Sequence, residues 1–115
     1  MKRAVLFLSA LLLNVPPSNA APFTASGTIY TLQTHDSVSS GADADWFSLV
    51  GVTSVGTCPT GDGGYVVFML RDDANGQRMF SLALAAKSAG NTLTVRVDDT
   101  LKTTTGQCYA QAVFD

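Results

Sequence analysis

The stretch that decides the fold is residues 65–98, YVVFMLRDDANGQRMFSLALAAKSAGNTLTVRVD. Its first six residues are apolar on both alternating faces, which predicts a central strand covered on both sides. Arg71-Asp72-Asp73-Ala74-Asn75-Gly76 then breaks the pattern. From 77 to 89 the chain is dense in Ala, Leu and Lys, with Met79, Leu82, Ala83 and Ala86 at helical spacing. Asp73 or Asn75 can cap the start of this helix, and Gly90-Asn91 fits its end. A hairpin through Asn75-Gly76, with 77–84 as the return strand, is the competing reading. Ala83-Leu84-Ala85-Ala86-Lys87 is poor strand material, which favours the helix. Phe80 and Leu84 fall on a second helical face at i, i+4 spacing and leave apolar surface for a subunit contact. Residues 92–98 alternate: Leu93, Val95 and Val97 point inward, with Thr94, Arg96 and Asp98 outward.

Outward from this centre, residues 23–33 are rich in Thr, Ile and Tyr and read as a first strand, with Tyr30 and Leu32 on one face and Ile29 and Thr31 on the other. A polar loop follows at 35–45, then a second strand at 46–52 that is apolar on both faces. Residues 52–64 return to loop, with the turn signal Gly61-Asp62-Gly63-Gly64. Beyond 98, a Thr-rich loop at 99–106 leads to a last strand at 108–114, with Cys108, Ala110, Ala112 and Phe114 on one face. The predicted class is mainly β with one α-helix. Its order, with the helix between strands 3 and 4, is that of an OB-fold-like five-stranded Greek-key barrel. A small β-sandwich would prefer about seven strands and has no natural place for the helix.

Met1-Lys2-Arg3, a 12-residue apolar run and Ser18-Asn19-Ala20 read as a secretory signal peptide over 1–20, leaving a single domain at 21–115. The run is well short of the ~20 residues a spanning helix needs, so no membrane span is expected after its removal. The expected destination is export, to the periplasm or beyond. The exported part carries five Lys/Arg against nine Asp, a net of −4 with no clustered cations, which argues against nucleic acid. In an oxidising compartment the two cysteines, Cys58 and Cys108, default to one disulfide. The loop it closes, about 50 residues, corresponds to roughly 4 kcal/mol in the chain-entropy model.

An enzyme of this size needs a constellation of groups, and none assembles. His35 is the only histidine, and no Gly-x-Ser-x-Gly elbow is present. Asp43 and Asp45 sit in a Gly/Ser loop and read as solvated acids rather than a glycosidase pair. Residues 71–82 touch the EF-hand pattern at Asp73, Asn75 and Gly76 but place Arg71 at position 1 and Leu82 at position 12, so no metal is expected. No cofactor is implied. What remains is an aromatic beside short polar side chains, the means by which proteins hold sugars: the ring covers C–H groups while carboxylates, amides and hydroxyls bond the sugar's own. Trp46 follows Asp43 and Asp45, which makes it the candidate platform; the plainer reading of Trp46 is core at the start of a buried strand.

The stretch 80–98 resembles the helix-then-strand segment of receptor-binding B subunits of bacterial toxins built from one A and five B subunits, in the pertussis and subtilase cytotoxin branches. Phe23-Thr-Ala-Ser26-Gly27-Thr-Ile29 resembles the opening of the subtilase-type first strand. The resemblance, over about a third of the exported chain, implies a secreted OB-fold subunit that forms a homo-pentameric ring, binds host glycans and accompanies a toxic A-like subunit. It carries a sialic-acid-contacting serine onto Ser26. Val97 stands where the family has a tyrosine, and Ser48 lies near its second-strand cysteine. The glycan contacts expected from both lines of reading are therefore Ser26, Asp45 and Trp46. The alternative function is a stand-alone exported domain that docks a protein partner, as an inhibitor or envelope protein.

Overall fold

The computed structural model describes residues 22–34 and 45–115. The signal peptide expected over 1–20 and the acid Asp43 lie outside the described residues. The elements run β1 (Phe23–Gln33), β2 (Asp45–Leu49), β3 (Val67–Leu70), α1 (Ala74–Ala89), β4 (Thr92–Lys102) and β5 (Cys108–Phe114). Among the described residues the chain is thus mainly β with one α-helix, between the third and fourth strands, and the hairpin alternative at Asn75-Gly76 falls. Asp73 supplies the N-cap by accepting from the Gly76 N–H at 2.8 Å. Gly90 closes the helix in the left-handed region, φ 71°, with its N–H on the Ala86 and Lys87 carbonyls. The helix begins at Ala74, three residues before the apolar period becomes visible.

β1 is long enough to pair twice. Its second half runs antiparallel to β2 and its first half antiparallel to β4. β2 pairs antiparallel with β3, and β5 with β4. β3 and β5 lie parallel over two register pairs, Phe68↔Cys108 and Met69↔Tyr109. A parallel pair needs a crossover connection, and α1 with β4 provides it. The order is β1-β2-β3-β5-β4, with β4 returning to β1 so that the sheet closes on itself.

Inside lie Phe47, Leu49, Phe68, Leu70 and the alternating Leu93, Val95 and Val97, all buried. Ala83 and Ala86 join the same cluster, where small side chains let the helix backbone approach the strands closely. Phe80 also packs against this core, so only Leu84 of the expected second helical face is outward, at 49% exposure.

Several boundaries and faces differ from the sequence expectation, β2 beginning at Asp45 rather than Trp46 and β3 at Val67 rather than Tyr65. β2 stops at Leu49 rather than 52, because the chain turns at Gly51, whose φ of 82° favours glycine. The β1–β2 register slips between Ile29 and Thr31, so Ile29 and Leu32 both meet the core, and Leu32 does not share a face with Tyr30. β4 continues to Lys102 through what reads as loop. A second irregularity, between Arg96 and Val97 where β4 meets β5, turns Val113 onto the core and leaves Phe114 exposed.

Cys58 and Cys108 form the expected disulfide, Cα–Cα 5.5 Å, tying the β2–β3 connection to the first residue of β5. Polar ties run alongside: the Thr57 N–H donates to Asp99 Oδ2 at 2.9 Å, and Lys102 Nζ donates to the Thr57 carbonyl at 3.2 Å. No helix among the described residues is long and apolar enough to cross a membrane.

Candidate binding face

Register places outward-facing residues in rows across the strands. One row runs Gln33 (β1), Trp46 (β2), Met69 (β3) and Tyr109 (β5). The neighbouring row runs Thr31, Ser48 and Val67. Trp46, Val67, Met69 and Tyr109 pack together as a hydrophobic cluster separate from the interior. The strands read as apolar on both faces because each carries interior residues on one side and this cluster on the other. Arg71, just past β3, lays its guanidinium 3.9 Å from the centroid of the Tyr109 ring, a cation–π contact.

The second row is roofed by the short 3-10 turn at Asp62–Gly64. Thr31 Oγ1 donates to Asp62 Oδ2 at 2.8 Å, and a Cβ on Gly61 would come within 2.7 Å of Val67 Cγ2. Beneath it Ser48 is wholly buried, and its hydroxyl finds no partner among the described residues. Tyr30, outward because of the bulge, meets Tyr65 edge to face with ring centroids 4.9 Å apart.

Of the three residues singled out by sequence, Asp45 and Trp46 are adjacent at the start of β2. Asp45 Oδ1 accepts from Thr34 Oγ1 at 2.6 Å, and Trp46 is half-buried at the border of the outer cluster. Ser26 lies elsewhere. It pairs with Thr94 across β1 and β4, their hydroxyls 2.7 Å apart. Seven positions along β1 separate it from Gln33, the partner of Trp46, roughly 23 Å along an extended strand. Sequence reasoning missed Met69 and Arg71 and gave Tyr109 no partner. The available signal was the two-sided apolarity of residues 65–70, which demands a covering on the outer face.

Titration plays a small part. Asp98 is held below the ordinary carboxylate range, first by the Thr100 hydroxyl at 2.6 Å and then by the Thr100 N–H at 2.9 Å. Asp73 and Asn75 serve the helix start, Asn75 Oδ1 accepting from Arg78 Nη1 at 3.3 Å. Among the described residues no three His, Cys, Asp or Glu side chains gather as a metal site. The outer face thus holds a half-buried indole and a guanidinium fixed on a ring, while Asp45, in register with the buried Leu70, alternates to the other side of β2. No family model, curated protein or solved structure matches this chain.

Proposed function

We propose that this chain is an exported, non-catalytic carbohydrate-binding subunit whose closed sheet is a five-stranded Greek-key barrel of the OB type. The strand order, the parallel β3–β5 pair and the helix between β3 and β4 support that assignment. OB barrels present ligands to the outer face of strands 2 and 3. The observation that carries the reading is Trp46 on that face, half-buried and in register with Met69 and Tyr109.

In this reading the Trp46 ring covers the C–H face of a sugar and Arg71 donates to ring or hydroxyl oxygens, while Asp45, next in the chain but on the Leu70 side of β2, accepts from Thr34. Ser26, with Thr94, is a separate and weaker point of contact on the β1–β4 face. The likeness to toxin B subunits suggests a ring of five, in which several weak sites on one surface give avidity.

The test is a glycan array probed with wild type and Trp46→Ala, each checked by native mass spectrometry and circular dichroism. Binding should fall at least tenfold in a folded variant of unchanged oligomeric state. Wild-type binding by folded Trp46→Ala overturns the site, and a monomeric wild type overturns the ring. The alternative, a domain that docks a protein partner, draws on the exposed Leu84 of α1. It becomes the working reading if the array is blank.

A further inference from the structure

A cleft of about 230 Å³ opens where α1 begins, between the far part of β4 and β5. Its rim is Arg71, Asp73, Asn75 and Gln111, and its floor is Met79, Leu101 and Ala110. Arg71 joins this lining to the outer cluster, since its guanidinium lies on the Tyr109 ring. It is held at both ends, because Gly76 packs so closely that a Cβ there would overlap the Arg71 carbonyl. The cleft therefore continues the Trp46–Met69–Tyr109 row, with Arg71 at the junction.

The chemistry of the lining narrows the occupant. The volume is below the ~300 Å³ at which pockets for drug-sized ligands begin, so one small ring fits and a bulky group does not. The floor is apolar, with Leu101 39% exposed. The polar groups on the rim are a guanidinium, a carboxylate and two amides, all planar and able to bridge neighbouring hydroxyls. One cation faces one anion, so the rim has no net charge to select an acidic ligand. Asp73 keeps Oδ1 on the Gly76 N–H, and Asn75 turns its oxygen to Arg78, so its amide N–H2 is the group presented.

Resting on the carbohydrate reading, we infer that the ligand is a neutral, linear oligosaccharide: one ring stacks on Trp46, the chain crosses Arg71, and a further ring sits in the cleft. A terminal monosaccharide alone leaves the cleft unused.

The experiment is calorimetry of the oxidised protein with three matched pairs: lactose and lacto-N-tetraose, cellobiose and cellotetraose, maltose and maltotetraose. At least one tetrasaccharide should bind tenfold or more tighter than its disaccharide. Leu101→Trp, which fills the cleft at an already exposed position, should bring that tetrasaccharide down to its disaccharide's affinity. Equal affinities within every binding pair overturn the extended site while the carbohydrate reading stands. A tetrasaccharide preference that survives Leu101→Trp places the extra ring elsewhere and overturns the cleft. No binding by any pair overturns the inference, and a blank glycan array alongside it overturns the carbohydrate reading too.

Discussion

The closed sheet has one interior and two quite different exteriors. On the β1–β4 side the outward rows are Thr24↔Arg96, Ser26↔Thr94 and Thr28↔Thr92. Most of these residues are exposed, and the Ser26 and Thr94 hydroxyls bond each other. On the β2–β3–β5 side the outward positions hold Trp46, Val67, Met69 and Tyr109, and all but Trp46 are at most 9% exposed. Closure of the strands requires only the interior. The β2–β3–β5 side instead carries a second, largely buried cluster with Trp46 as its partly exposed border. The hydroxyl side is ordinary solvated sheet.

The most forceful way to break the comparison is through the seam under the apolar side. Tyr109 joins that face across the β3–β5 pairing, which spans two residue pairs and follows directly on Cys108. The double variant Cys58→Ser/Cys108→Ser should lose about 2–5 kcal/mol in urea unfolding. Emission from Trp46, the sole tryptophan, should shift to the red in the same variant before global unfolding, as its neighbours on β3 and β5 separate. An unshifted spectrum would mean that the outer cluster holds without the covalent tie.

Paired truncations sharpen the contrast at smaller cost. Trp46→Ala removes a half-buried indole from the outer cluster and should cost about 2 kcal/mol. Ser26→Ala removes one exposed hydroxyl pair and should stay within about 0.5 kcal/mol. Chemical denaturation of both variants gives the difference directly. Equal costs would erase the distinction between the two exteriors.

Much of this was legible in the chain, for identifiable reasons. Strands β1 and β5 and the inward set Leu93, Val95 and Val97 follow from period-two patterning, and α1 from its Ala-rich run with Asp73 and Gly90 as caps. The faces of β1 and β5 were misread where the register slips, because a bulge is a property of the pairing and leaves no mark on either strand alone. Asp45 and Trp46 are neighbours in the chain, but alternation along β2 sends their side chains to opposite sides of the sheet. The meeting of Arg71 with Tyr109 was not legible, since 38 positions separate them and only the parallel β3–β5 pairing brings them together. Ser26 was grouped with Trp46 by resemblance, and strand geometry separates the two.

Ser48 offers a finer test of the roofed row. Its hydroxyl is buried between Thr31 and Val67 with no partner among the described residues, so it pays for desolvation without a hydrogen bond. Ser48→Ala should leave stability unchanged or raise it by about 1 kcal/mol, read as a thermal midpoint. A loss beyond that would mean the hydroxyl is bonded in solution.

The smallest effect belongs to the open end of β4, away from the apolar layer. Asp98 is stabilised as a carboxylate by the Thr100 hydroxyl and N–H, so its folded pKa lies below its unfolded value. The sign follows from linkage. A depressed acid supports the fold above the unfolded pKa, near 3.9, and that support is lost as pH falls through the lower folded value. Thr100→Val deletes the larger of the two bonds and keeps the N–H, so the Asp98 titration followed by NMR should move up toward the ordinary range without reaching it. An unmoved titration would transfer the effect to the backbone N–H alone. In either case the pH response of Asp98 is confined to the strongly acidic side.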